Sequence, residues 1–102
     1  MIYVLATIEV VAGKRDELLN EFRQMVPLVL AEEGCLDYGP AVDVETNLTA
    51  PPAVRENVVT VVEKWESIEA LERHLIAPHV LQYRAKVKDL VVRTSLRILR
   101  PA

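Results

Sequence analysis

The sequence predicts an α+β chain in which two βαβ halves share one antiparallel sheet, the split βαββαβ arrangement of ferredoxin-like folds. Three observations carry this. The apolar period switches from strand-like to helix-like and back twice along the chain. The second helical region is broken in two by a proline, so the halves repeat in architecture without repeating in sequence. With 102 residues, 51% apolar and 26% charged, the chain can fill one ordinary core, so residues 1–102 are expected to form a single domain.

Each element has its own signal. Residues 2–11 are mostly β-branched or aliphatic and predict a buried strand. From Lys14 to Glu33, Leu18, Leu19, Phe22, Met25, Val26, Val29 and Leu30 recur on one helical face. Pro27 removes a backbone donor inside this helix and predicts a kink, and Gly34 predicts a left-handed stop. Residues 35–45 read as a second strand, with Gly39-Pro40 pointing to an edge or a bulge. The longest connection, residues 46–56, carries Asn47, Pro51 and Pro52 and reads as either a lid or a mobile loop. Residues 57–65 give the strongest strand signal, and Ser67 then offers a helix N-cap. Ile68, Leu71 and Leu75 stripe a short helix that ends before Ala77-Pro78. Pro78 suits the first turn of the next helix, which carries Val80, Tyr83, Val87 and Leu90, and residues 91–100 return to a strand.

Twelve basic and fifteen acidic side chains give a net charge of −3, so no basic footprint for nucleic acid or an anionic membrane is present. No apolar run approaches the ~18 residues of a membrane span. The first residues, with Glu9 inside their apolar run and no basic start, do not read as a signal peptide. The lone Cys35 cannot form an internal disulfide and suits a reducing, cytoplasmic setting. Mean hydropathy is +0.17, high for a small domain. Alternation places Ile2, Val4, Ala6, Ile8 and Val10 on one face of the first strand, yet Tyr3, Leu5 and Val11 lie on the other; the third strand behaves alike. Both sheet faces are therefore expected to be apolar, and a second copy is the simplest cover, giving a homodimer packed sheet to sheet.

Few polar side chains fall where chemistry would need them. His74 sits at the edge of an apolar helical stripe, and His79 lies in the first turn of the following helix, where the partial positive charge favours a neutral imidazole able to accept a proton. Tyr83 follows His79 on the same helical side, and Trp65 ends the third strand just before this region. These residues suit one cavity between sheet and helices, with an aromatic wall and one or two bases. They equally suit packing alone: Trp65 as a core anchor, His74 as a helix histidine, His79 as a helix-end group. Two histidines five apart across a proline do not have metal-ligand spacing, so no metal site is expected. An apolar strand flank argues against Cys35 as an activated nucleophile. No glycine-rich phosphate loop or G-x-S-x-G motif is present.

The runs Val26-Pro27, Glu32-Glu33-Gly34-Cys35, Tyr38 and Pro40 resemble the antibiotic biosynthesis monooxygenase family, as do Glu63 to Ile68, Leu71, His74-Leu75, Pro78-His79, Tyr83 and Arg97 to Pro101. The resemblance covers nearly the whole chain and looks most like the bacterial quinol monooxygenases that act on menadiol-like hydroquinones. It implies a dimeric α+β barrel, a small aromatic substrate oxidised by O2, and no flavin, haem or metal cofactor. It makes His79 and His74 the candidate catalytic bases, and Trp65, Tyr38, Tyr83 and Asn57 the candidate substrate-binding residues. Haem-degrading relatives place an Asn on the first strand, where this chain has Thr7 and Glu9, so haem is not expected. Relatives that process phosphorylated signalling sugars keep Arg55, Arg73 and Arg84 as anion-binding alternatives, and a non-catalytic ligand-binding barrel is the third reading.

Overall fold

The computed structural model describes residues 1–50 and 54–102. Its elements are β1 (Ile2–Val10), α1 (Arg15–Leu30), β2 (Cys35–Ala41), β3 (Val58–Trp65), α2 (Ile68–Leu75), α3 (Pro78–Val87) and β4 (Val91–Leu99), the order expected from the sequence. The local chemistry explains the boundaries. Ser67 Oγ accepts a hydrogen bond from the Ala70 N–H at 3.1 Å and starts α2. Pro78 opens α3, where its missing N–H has no helical partner to lose. α1 runs on through Pro27 to Leu30, and the Ala31 N–H returns to the Pro27 carbonyl at 3.2 Å.

β2 stops at Ala41, short of the expected 45. Its pairing partner β3 begins only at Val58, and Asp43 is drawn instead to Arg55. The Asp43 carboxylate receives the Arg55 Nε at 2.8 Å, Nη2 at 2.9 Å and backbone N–H at 3.0 Å, which clamps the base of the long connection. Those hydrogen bonds hold the Asp43 carboxyl down at about 2. Pro51 and Pro52 lie outside the described residues.

The sheet order is β2-β3-β1-β4, antiparallel throughout, with Ala6 of β1 facing Val61 on one side and Leu96 on the other. Alternation sends Val4, Ala6, Ile8 and Val10 of β1, with Val59, Val61 and Trp65 of β3, into the core. They meet Leu18, Leu19, Phe22, Met25 and Val29 of α1, Ala70 and Leu71 of α2, and Val80 and Val87 of α3.

The expected dimeric α+β barrel is corrected by this sheet. The four strands remain open: among the described residues β2 and β4 are each paired along one side only, so the sheet does not close into a barrel. The four strands of one chain cannot by themselves close the roughly eight-stranded wall of a barrel around a packed interior. The outward face is also more polar than expected. Arg93 Nη2 donates to Glu9 Oε2 at 2.7 Å, Lys64 lies 5.8 Å from the Tyr3 ring centre, and Thr7, Thr60 and Ser95 lie between. Leu5, Val62 and Leu99 are its exposed apolar side chains, which one face of an antiparallel sheet tolerates.

Gly34 ends the α1–β2 turn at φ +85°, and a Cβ built there would lie 2.6 Å from the Ala70 Cβ on α2. Gly13 has a similar φ of +79° but open space around it. Gly34→Ala should therefore cost about 2–4 kcal/mol, combining left-handed strain with displacement of α2. Gly13→Ala should cost only the backbone strain, roughly 1–2 kcal/mol. Urea denaturation of both variants checks this, and equal losses would refute the contact argument.

Candidate functional site

The turn between α1 and β2 places the central carboxylate. The Glu32 N–H bonds the Val29 carbonyl at 2.9 Å, the Cys35 N–H bonds the Glu32 carbonyl at 3.2 Å, and the Gly34 carbonyl receives the Glu66 N–H at 2.8 Å. This fixes the turn against the start of α2 and aims the Glu32 side chain at the α2–α3 corner. His74 lies in the last turn of α2 and His79 in the first turn of α3. His74 Nδ1 lies 2.9 Å and His79 Nε2 2.8 Å from the same oxygen, Glu32 Oε2. A carboxylate oxygen accepts, so both ring nitrogens donate to it. That choice of tautomer leaves Nε2 as the lone-pair nitrogen of a neutral His74.

His74 is set in an aromatic cluster. Its ring centre lies 4.6 Å from that of Trp65 and 5.3 Å from that of Tyr38. Phe22 stacks on Tyr38 at 5.5 Å and meets Tyr83 edge-on at 5.5 Å. The indole N–H of the fully buried Trp65 donates to Glu63 Oε1 at 2.9 Å. Beside this cluster, between the sheet and the helices, lies a cavity of about 430 Å³. That volume falls in the roughly 300–1,000 Å³ range of small-molecule sites. Its walls are largely apolar, including Ala6, Ile8, Val61, Val87 and Leu96. Tyr38, Glu63, His74, Tyr83 and Thr94 supply its polar groups, with Arg84 and Lys88 also on its lining.

Burial sets the protonation of these groups. It lowers the His74 pKa below the ordinary histidine value, outweighing the hydrogen bond to Glu32, which acts the other way. The imidazole is thus neutral near pH 7. Burial raises the Glu63 carboxyl to about 7, with the Trp65 hydrogen bond opposing and the Glu32 charge assisting. It pushes the Tyr83 phenol up to about 12 and raises that of Tyr38 as well. The Cys35 thiol is raised to about 11, chiefly by burial, so it stays protonated and unreactive. Tyr83 Oη is the one fully buried side-chain polar atom without a hydrogen-bond partner among the described residues.

The sequence candidates divide between four places. His74, Tyr38 and Tyr83 line the cavity. His79 faces a separate recess of about 160 Å³ with Met25, Gln82 and Lys86, and reaches the site only through Glu32. Trp65 stands behind His74, fully buried, and does not line the cavity. Asn57 lies at the far end of the sheet, where its Oδ1 accepts the Gly13 N–H at 3.3 Å and its carbonyl accepts the Val10 N–H at 2.8 Å. Of the candidate anion-binding arginines, Arg55 is held by Asp43 and Arg84 alone lines the cavity. Among the described residues no group of three or more His, Cys, Asp or Glu is arranged to hold a metal ion. No helix there is long and apolar enough to cross a membrane.

Glu32 and Glu63 are the functional residues that the sequence candidates omit. Glu63 carries a readable signal, an acid at an inward position of β3 between Val61 and Trp65. Glu32 stands in the sequence only within the family-like run Glu32-Glu33-Gly34-Cys35 and without a role, because its partners are 42 and 47 residues away.

The comparisons with known proteins agree with this fold. The chain is 39% identical over 103 residues to YgiN of Escherichia coli (strain K12), named as a probable quinol monooxygenase, covering 99% of this chain and 98% of that one. The crystal structure of PA3566 from Pseudomonas aeruginosa superposes with a TM-score of 0.77 at 26% identity, over 99% of this chain and 94% of the other. Rv0793 from Mycobacterium tuberculosis gives the same TM-score, identity and coverage. The family model described as antibiotic biosynthesis monooxygenase matches residues 1–86, a span that holds Glu32, Glu63, His74, His79 and Tyr83. This chain belongs to the antibiotic biosynthesis monooxygenase family.

Proposed function

We propose that the chain is a cytoplasmic, cofactor-independent monooxygenase/oxidase that passes electrons from a hydroquinone-like aromatic substrate to O2, using His74 as general base. The observation that carries this reading is the Glu32–His74 pair set against an apolar, aromatic-walled cavity. Its kinship with a relative named as a quinol monooxygenase supports the substrate class. The free thiol of Cys35 suits the compartment.

A hydroquinone holds its phenolic protons near the ~10 of tyrosine and gives up electrons reluctantly in that form. Removing one proton makes it a far better donor, so the protein's task is proton removal and positioning. His74 offers neutral Nε2 as the acceptor. Glu32 fixes the ring from behind and stabilises the imidazolium that forms, the role of the buried carboxylate in other base–acid pairs. His79 donates a second hydrogen bond to the same Glu32 oxygen and holds that carboxylate in place. Trp65 and Tyr38 fix the His74 ring, while Phe22 and Tyr38 provide stacked aromatic surface. Tyr83 Oη lacks a partner and is closed off from solvent, so it meets a substrate oxygen only when its ring turns toward the cavity. The electrons pass from the substrate anion to O2, so no redox group on the protein enters the reaction.

O2 uptake with menadiol tests this. His74→Ala should lower kcat by about 10²–10⁴. Glu32→Gln, which spoils only the support of the ring, should cost on the order of tenfold to a hundredfold. Undiminished uptake by His74→Ala would end the reading. The profile of kcat/KM should lose activity as pH falls through a value below the ordinary histidine ~6.5, because His74 must be neutral and burial lowers its pKa.

Tyr83→Phe should act in opposite directions on stability and binding. Deleting an unsatisfied buried hydroxyl should stabilise the free protein by about 1 kcal/mol, while loss of the substrate hydrogen bond should raise KM roughly threefold to tenfold. Denaturation and steady-state kinetics on the one variant check both signs.

A further inference from the structure

Oxidising a hydroquinone to a quinone removes two electrons and two protons, and His74 Nε2 has room for one proton. This argument rests on the hydroquinone reading above. The cavity phenols, Tyr38 and Tyr83, hold their own protons more tightly than an ordinary phenol, the Thr94 hydroxyl is no base, and Arg84 and Lys88 are hydrogen-bond donors without an acceptor. One group on the cavity wall remains able to accept the second proton.

Glu63 sits on the inward side of β3, opposite Val4 of β1 and Tyr38 of β2, and is 5% exposed. Oε1 is fixed by the Trp65 indole at 2.9 Å, and Oε2 makes no hydrogen bond among the described residues. The charged or titratable groups facing this region are Glu32 from the α1–β2 turn, Cys35 and Tyr38 of β2, His74 of α2, Tyr83 and Arg84 of α3, and Lys88 at the end of α3. None forms an ion pair with Glu63 among the described residues. An unpaired carboxylate in an apolar cavity is costly, and a neutral amide would receive the indole N–H without that cost. A solely structural role therefore does not account for an acid here.

We infer that Glu63 is a second acid–base residue of this site, taking the proton of the substrate hydroxyl that His74 does not reach. The steps balance. His74 takes the first hydroxyl proton, and the resulting anion gives one electron to O2. Glu63 takes the second hydroxyl proton as the second electron follows. The reduced oxygen leaves as hydrogen peroxide, carrying the two protons returned by His74 and Glu63, and the ring leaves as quinone. Burial holds Glu63 at about 7, where it can both take up and return a proton near neutrality.

Glu63→Gln tests this with little change of volume, because the amide carbonyl still accepts the Trp65 indole. In O2 uptake with menadiol, kcat should fall about 10²-fold or more while KM stays within about threefold. The kcat profile should keep the His74 ionisation and lose a second one near 7. Trp65→Phe should move that second ionisation to higher pH, because it removes the hydrogen bond that opposes burial. A denaturant series gives a reading without turnover. Folded Glu63 keeps its proton between about 4.5 and about 7 while the unfolded chain releases it, so wild-type stability should drop as pH rises through that window. Glu63→Gln should abolish the drop. Unchanged kcat in Glu63→Gln, an unmoved profile in Trp65→Phe, or no such drop in the wild type would each overturn the inference while leaving His74 as base. A wild type that consumes no O2 with any hydroquinone would overturn both readings together.

Discussion

One carboxylate oxygen, Glu32 Oε2, ties together the two ends of the proposed site. It receives His74 from the end of α2 and His79 from the start of α3, and itself stands on the turn that leaves α1. Three elements thus converge on a single atom, and the convergence depends on how closely that turn lies against α2. The hydrogen bond from Glu66 to the Gly34 carbonyl sets the separation, and the missing Cβ of Gly34 permits it beside Ala70. The packing of a glycine several ångströms from any chemistry therefore bears on the tautomer of His74.

The same cavity makes burial and charge oppose each other in a useful way. A neutral imidazole can accept a proton, and burial keeps it neutral. A carboxyl can shuttle a proton near pH 7 only when its ionised form is disfavoured, and the same burial achieves that for Glu63. Two groups whose ordinary values lie about two units apart are brought toward a common range by one apolar wall. The partners then distinguish them: Glu32 supports a cation forming on His74, whereas Glu63 has an indole N–H and no cation. That asymmetry makes His74 the stronger claimant for the first proton.

Much of the fold was legible because it rests on local signals: the change of apolar period, the Ser67 cap, Pro78 at a helix start and Gly34 after one. The barrel expectation, drawn from the family resemblance, is not met because the four strands of the chain stay open; counting apolar residues on both faces separately overlooked pairing across the sheet, where Glu9 meets Arg93 and Lys64 covers Tyr3. Within the site, His74, Tyr38 and Tyr83 share one wall. The sequence suggested a common cavity for Trp65 and His79 too, but proximity along the chain does not fix which side a ring presents. The role of Glu32 was not legible, since a glutamate after a helix is usually a solvated charge, and only the folded turn brings it to the histidines.

The break between α2 and α3 is what makes that meeting possible. On one continuous α-helix, residues five apart project about 140° from each other, so His74 and His79 could not both reach one oxygen. Ala77 leaves the helical region at φ −62° and ψ 140°, and Pro78 restarts it on a new axis. After that turn, one ring presents Nδ1 and the other Nε2 to Glu32, from opposite sides of the corner. His74 is thereby left at the cavity and His79 outside it. The proline that splits the second helix, an interruption of apolar spacing in the sequence, divides two chemically identical side chains into the proposed base and its proposed support.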